Sequence, residues 1–242
     1  MERKEDNRDY WNHRSRTFAL DIDQEIREDR HRVWQELFQK ELPGSGLSVL
    51  DDGTGPGLFA MLLAEMGHQV TAIDYSEDMV AEAEKRCRDA GYTIKAEQMD
   101  AQNLRFADES FDAVVSRNMI WTLDYPEKAY AEISRVLKPG GCLILQDGNH
   151  YLYMHEERYA ALQKEKERLG KTGSTVAERY GKQDYDFSVL YEIADDLPLS
   201  KTLRPAWDLE TLIELGFDEL RADIRRDGGL PMQFTIIARK AK

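Results

Sequence analysis

Val49-Leu50-Asp51-Asp52-Gly53-Thr54-Gly55-Pro56-Gly57 decides how the rest of the chain is read. A short apolar run, Leu47 to Asp51, predicts a strand, and the turn that follows has glycine at every second position. Glycine admits backbone dihedrals closed to other residues and lets the main chain approach a ligand closely. A helix predicted over about 57–66 opens on the same space. A plain strand-to-helix turn needs neither three spaced glycines nor the acid before them.

Outward from this turn, strand and helix signals alternate. Gln69 to Asp74 predicts the second strand. Ser76 is placed to cap a helix carrying Met79, Val80, Ala83 and Cys87 on one face. Residues 93–99 and 111–116 predict the third and fourth strands, 127–137 a helix stopped by Lys138-Pro139-Gly140-Gly141, and 142–147 the fifth strand. Helices of this length between strands make βαβ units on a parallel sheet. Upstream, 24–42 has helical spacing ended by Pro43-Gly44-Ser45-Gly46. Beyond 148 the alternation stops. Residues 150–205 show helical patterns, no clear strand and six of the eleven tyrosines. A helix at 208–215 and strands near 218–224 and 232–239 follow, the last two joined by a loop with Asp227-Gly228-Gly229, too short for a crossover and so antiparallel.

The expected fold is therefore α/β, Rossmann-like: a seven-stranded, mostly parallel sheet with an antiparallel last strand, helices on both faces and a helical insert after the fifth strand. The expected division is an N-terminal helical cover over 1–42, a core over 43–149 and 206–242, and the insert over 150–205.

The glycine spacing bears on the ligand. A dinucleotide turn reads G-x-G-x-x-G, its third glycine tightening helix–strand packing. Counted from Gly53, that place is Leu58. G-x-G-x-G with an acid two residues ahead favours an adenosyl ligand without a pyrophosphate. Asp74 ends the second strand, 21 residues after Gly53, where a carboxylate can accept from both ribose hydroxyls. Asp100 ends the third strand and has two readings, an acceptor for the adenine amine or a cap in a solvated loop.

Five segments in order now carry a resemblance: Val49 to Gly57, Ala72-Ile73-Asp74-Tyr75-Ser76, Met99-Asp100-Ala101, Phe111 to Ser116, and Arg135-Val136-Leu137-Lys138-Pro139-Gly140-Gly141. Together they resemble the class I S-adenosylmethionine-dependent methyltransferases, and within them the small-molecule branch similar to ubiquinone/menaquinone C-methyltransferases. The resemblance is strong over 47–147 and weak over the last two strands. It implies S-adenosylmethionine as cofactor, held by Asp51, Gly53, Gly55 and Gly57 at the methionine end, Asp74 at the ribose, and Asp100 and Ala101 at the adenine. Tyr75, Met79 and Arg117 join this set. The segment Tyr10 to Phe18 is similar to covers that close over the cofactor, with Tyr10 against it and Arg14 on its carboxylate; a surface helix with Trp11 and Phe18 facing the core is the other reading. Thr54 stands where Cys is frequent in the family.

The implied reaction is in-line methyl transfer to a small-molecule acceptor. Asn118, Trp121, Tyr151, Tyr153 and Tyr191 are the candidate acceptor pocket. A base is needed only if the acceptor must lose a proton, and Asp147, His150 and His155 are the candidates. An NAD(P)-dependent oxidoreductase and a cofactor-binding module without catalysis are the alternatives.

Bulk properties bound the rest. The chain has 242 residues, 41% hydrophobic and 33% charged, the composition of a soluble domain with one large core. No apolar run approaches the ~20 residues of a membrane span, and Met1 to Asp9 is charged, unlike a signal peptide. A net charge of −13 with no basic cluster argues against nucleic acid. Cys87 and Cys142 lie in apolar patterns, expected reduced in a cytoplasmic protein without a metal site, a monomer or homodimer.

Overall fold

In the computed structural model, which describes residues 2–173, 175–181 and 183–242, seven strands make one sheet. They are β1 (Ser48–Asp52), β2 (Gln69–Asp74), β3 (Lys95–Gln98), β4 (Phe111–Arg117), β5 (Leu137–Gly148), β6 (Phe217–Asp227) and β7 (Leu230–Lys240), in the order β3-β2-β1-β4-β5-β7-β6. The first five are mutually parallel, and β7 runs antiparallel between β5 and β6. This is the expected Rossmann-like sheet.

Alternating side chains send each strand's residues to two cores. Val49, Ala72, Val115 and Ile144 pack under α2 (Arg32–Glu41), α3 (Leu58–Glu65) and α4 (Glu77–Asp89). Leu50, Ile73, Val114 and Leu145 pack under α5 (Pro126–Val136) and α9 (Ala206–Glu214). Ser76 caps α4 by accepting from Met79 N at 3.1 Å. Asp51 and Asp52 therefore leave β1 toward opposite faces.

Element ends differ from the expected ones by a residue or two, except upstream. The helix expected over 24–42 is two helices, α1 (Glu2–Arg27) and α2. The break falls at Asp29, whose φ of 59° no helix can carry. Continuous 3.6-residue spacing on both sides hid it. The segment 150–205 holds α6 (Glu157–Arg168), α7 (Val176–Tyr180) and α8 (Val189–Asp196), with no strand among its described residues. α8 packs on α1, with Ile193, Ala194 and Leu197 clustered with Tyr10 and Trp121. The chain leaves β1 toward β2 and returns from β3 to β4 on β1's other side. This switch of direction opens a crevice at the strands' carboxyl ends.

Candidate active site

The glycine turn is built by strand pairing. Gly53 N and Thr54 N both donate to Ile73 O, at 2.9 and 2.8 Å, which curls the chain at the end of β1. A Cβ on Gly53, whose φ is 75°, would stand 2.3 Å from Met119 Cγ, so a side chain there is excluded. Gly55 N donates to Asp74 Oδ2 at 2.9 Å. Gly57 does a different job. Its Cβ would meet Ala83 Cα of α4 at 2.7 Å, and it does not line the cleft. The third glycine of the motif is a helix-packing residue.

A cleft of about 780 Å³ opens beside this turn. One wall is Asp74, Tyr75, Ser76 and Met79 from the β2–α4 junction; another is Met99, Asp100, Ala101 and Gln102 after β3. Asn118, Met119 and Leu123 close it after β4. A second cavity of about 360 Å³, holding Asp51, Thr54 and Leu58, shares Phe18, Gly53, Gly55, Arg117 and Asn118 with the first. The two meet at the glycine turn.

α1 lies across the opening. Lys4 pairs with Asp100, Asn7 Nδ2 donates to Thr122 O at 2.9 Å, and Ser76 Oγ donates to Asn12 Oδ1 at 2.6 Å. Arg86 of α4 holds the helix farther along, donating to Asp23 Oδ1 at 2.7 Å and Ala19 O at 3.1 Å. Trp11 and Phe18 face the cleft from this helix.

The acids of the site differ in their partners. Asp51 accepts from Thr54 Oγ1 at 2.6 Å, and burial pushes its pKa up to about 7. Asp74 accepts from Gly55 N and from Ser76 N at 2.9 Å each, with burial raising it to about 6. Burial also raises Asp100, but its bonds from Lys4 and Gln102 outweigh that and hold it below the usual carboxylate value. Asp52 is fully buried, neither carboxyl oxygen has a partner, and burial with three neighbouring acids lifts it to about 8.

Arg117, at the end of β4, touches both cavities. Its Nη2 donates to Glu25 Oε2 at 2.9 Å, and its guanidinium lies 5.2 Å from the Trp34 ring centroid and 5.7 Å from that of Phe59. Its Nε and Nη1 are buried without a hydrogen-bond partner, as is Asn118 Oδ1. Such orphans are expensive unless a ligand satisfies them.

Several expected site residues lie elsewhere. Arg14 is no cleft residue: it donates to Thr17 Oγ1 at 2.6 Å and to Asp21 Oδ2 at 2.5 Å, within α1. Tyr10 packs with Trp11, Tyr185 and Phe187 on the insert side of α1. Trp121 is buried among Trp11, His150 and Tyr151 rather than in the cleft wall. Tyr151 joins Tyr153 and Tyr191 in one ring cluster, and Tyr191 is half exposed. Asp147 accepts from Arg204 Nη1 at 2.6 Å and Trp121 N at 3.1 Å. His150 Nε2 stands 3.3 Å from Asp147, and His155 Nε2 3.4 Å from Asp195. None of these three lines the cleft.

Residues the sequence reading passed over include Lys4, Asn7, Gln102, Leu123 and Asp52. Only Asp52 carried a signal: a second acid in an otherwise apolar strand.

Residues 50–145 match the family model described as a methyltransferase domain. That match covers 96 of the 242 residues. Over 107 residues it is 41% identical to the ubiquinone/menaquinone biosynthesis C-methyltransferase of Desulfotalea psychrophila, covering 43% of this chain and 42% of that one. Over 108 residues it is 36% identical to the phosphatidylethanolamine N-methyltransferase of Cereibacter sphaeroides, covering 44% and 52%. The chain spans about half the length of such curated relatives. Among solved structures, the phosphoethanolamine N-methyltransferase 2 of Haemonchus contortus, in complex with S-adenosylmethionine, superposes with a TM-score of 0.59 at 18% identity, over 85% of this chain and 51% of that one. The [4+2]-cyclase SpnF superposes at 0.55 with 21% identity, over 87% and 80%. These likenesses show that the chain shares the fold of these structures.

Proposed function

We propose that this protein transfers the methyl group of S-adenosylmethionine to a small-molecule acceptor and releases S-adenosylhomocysteine. The observation that carries the reading is the pair of orphaned Arg117 nitrogens where the two cavities meet. They suit the carboxylate of a methionine end, the kind of group a guanidinium takes in charge-assisted hydrogen bonds. The remaining donor set fits the same ligand. Gly53 and Asp74 line the cleft, where the Asp74 carboxylate would accept from ribose hydroxyls, and Tyr75, Met79, Asp100 and Ala101 line the part that would take adenine.

When bound, the cofactor supplies a methyl carbon on a positively charged sulfur, and in-line attack moves that carbon to the acceptor while the sulfur becomes neutral. The protein's own share is positioning and exclusion of water. α1 covers the cleft through Trp11 and Phe18, and Asn118 Oδ1 offers an acceptor at the cavities' junction. Asp147, His150 and His155 stand outside the cleft and take no part as bases in this reading. Relatives named for carbon and for nitrogen methylation leave the attacking atom to experiment. A net charge of −13 favours a small molecule over nucleic acid. Among the described residues no helix is long and apolar enough to cross a membrane, and the two cysteines are free and buried. The free cysteines suit a reducing compartment.

S-adenosylhomocysteine should raise the melting temperature through mass action on the native state. A shift with NAD and none with S-adenosylhomocysteine would overturn the reading. The cyclase of similar fold motivates a second reading, cofactor binding without methyl transfer. Formation of S-adenosylhomocysteine on presentation of candidate acceptors separates the two.

A further inference from the structure

Asp52 is left over by everything above. It lines the larger cavity, is fully buried, and both of its carboxyl oxygens lack a hydrogen-bond partner. Ser116 Oγ donates to its main-chain oxygen at 2.7 Å, which fixes the backbone but leaves the carboxyl alone. Its charged neighbours are acids from three strand ends: Asp51 on β1, Asp74 at the end of β2 and Asp100 after β3. The cations of the cleft are turned to other acids. Lys4 pairs with Asp100, Arg8 with Asp9, and Arg117 with Glu25. Asp124 also lines the cavity. A carboxyl in this position has a strong reason to stay neutral.

The position of Asp52 along the cleft gives it a target. An adenosyl half in the larger cavity and a methionine half in the smaller place the sulfur joining them at the shared Gly53–Asn118 junction. Asp52 is the residue before Gly53. We propose that Asp52 senses the charge on the cofactor's sulfur, losing its proton to water when the sulfonium binds and keeping it when the neutral thioether product is bound. The inference rests on the S-adenosylmethionine reading of the cleft. Its consequence is discrimination: the cleft holds the charged donor more tightly than the spent product, and the preference grows with pH. Opposite unit charges about 6 Å apart at an effective dielectric near 20 change affinity by about tenfold to a hundredfold.

The sign follows from linkage. Burial and the three acids hold Asp52 protonated to about pH 8. A cation beside it favours the ionised form, so donor binding tightens as pH rises toward that value. A neutral ligand that only deepens burial gains nothing.

The test is calorimetry of the whole protein with S-adenosylmethionine and S-adenosylhomocysteine between pH 6 and 8.5, in buffers of different ionisation enthalpy. Near pH 7 the donor should release more protons on binding than the product does, by a difference approaching one. The ratio of their dissociation constants should shift about tenfold or more in the donor's favour over the range. In Asp52→Asn both the extra proton release and the pH dependence of the ratio should disappear. A flat ratio in the wild-type protein, which needs no variant to fold, overturns the inference. So does a slope that persists in Asp52→Asn, because Asp51 or Asp74 would then be responsible. If neither ligand binds at any pH, the methyltransferase reading itself fails.

Discussion

Two buried polar clusters sit at the carboxyl ends of the same sheet, and they have opposite characters. At β5, Asp147 accepts from Arg204 Nη1, Trp121 N and Gly148 N. Arg204 also donates from Nε to Asp208 at 2.9 Å, Asp208 accepts from Tyr130 Oη at 2.6 Å, and the guanidinium lies 4.9 Å from the Phe234 ring centroid. Burial would raise Asp147, yet Arg204 outweighs it and holds the pKa below the ordinary value. At β1 and β4, Arg117 has two orphaned nitrogens, Asn118 an orphaned oxygen, and Asp52 no partner. The first cluster is closed upon itself and fastens the end of the insert to the sheet. The second is left open beside the cleft. Polar burial alone does not mark a site; unsatisfied polar burial beside a cavity does.

The contrast breaks most sharply at the two arginines. Arg204→Met should cost about 3–5 kcal/mol of stability, since it strands two buried carboxylates, measured by urea unfolding. The fraction that folds should bind S-adenosylhomocysteine normally. A stable Arg204→Met protein that had lost its ligand would reverse the assignment of the two clusters.

Asp52→Asn tests the open cluster from the side of the fold. A folded-state pKa of about 8 means that the native protein holds a proton the unfolded chain releases near pH 4, so wild-type stability falls as pH rises between those values. The substitution should therefore stabilise the ligand-free protein by up to about 5 kcal/mol at pH 7.5 and by about 0.5 kcal/mol near pH 4. Unfolding curves that stay parallel at both pH values would show that the carboxyl is not held neutral.

Arg117→Met and Asp74→Ala should each weaken S-adenosylhomocysteine binding by about 10- to 150-fold, the range expected from losing a charged hydrogen bond. Arg117→Met also leaves the buried Glu25 carboxylate with only its bond from Trp34 Nε1 at 3.2 Å, so affinity is to be read on the folded fraction after stability has been measured. Calorimetry on Arg117→Met with unchanged affinity would remove it from the site.

The smallest effect concerns the insert. Tyr191→Phe, at a half-exposed ring, should leave stability within about 0.5 kcal/mol and cofactor affinity intact. Tyr151→Phe and Tyr153→Phe should alter acceptor turnover and leave cofactor affinity unchanged, since their cluster touches Trp121 and not the cleft. A change in S-adenosylhomocysteine affinity for any of the three would join the insert to the cofactor cleft.

The chain's alternation of apolar runs and its glycine turn were enough to read the sheet, its antiparallel β7 and the places of Gly53, Gly55, Asp74 and Asp100. These features are local: a strand period, a turn that needs positive φ, an acid at a strand end. Which polar group faces a ligand is not local. Asp74 and Asp147 both end apolar strands and look alike in sequence. They differ because Arg204, 57 residues beyond Asp147, folds back onto one and not the other. Likewise the resemblance put the cofactor's carboxylate on Arg14, but Asp21 holds that side chain within α1, and it is Arg117 that stands where the cavities meet. The sequence by itself determined where the chain turns and what could be ionised; the tertiary structure alone decided which of those groups found a partner, because hydrogen-bond satisfaction in a core depends on neighbours brought from far along the chain.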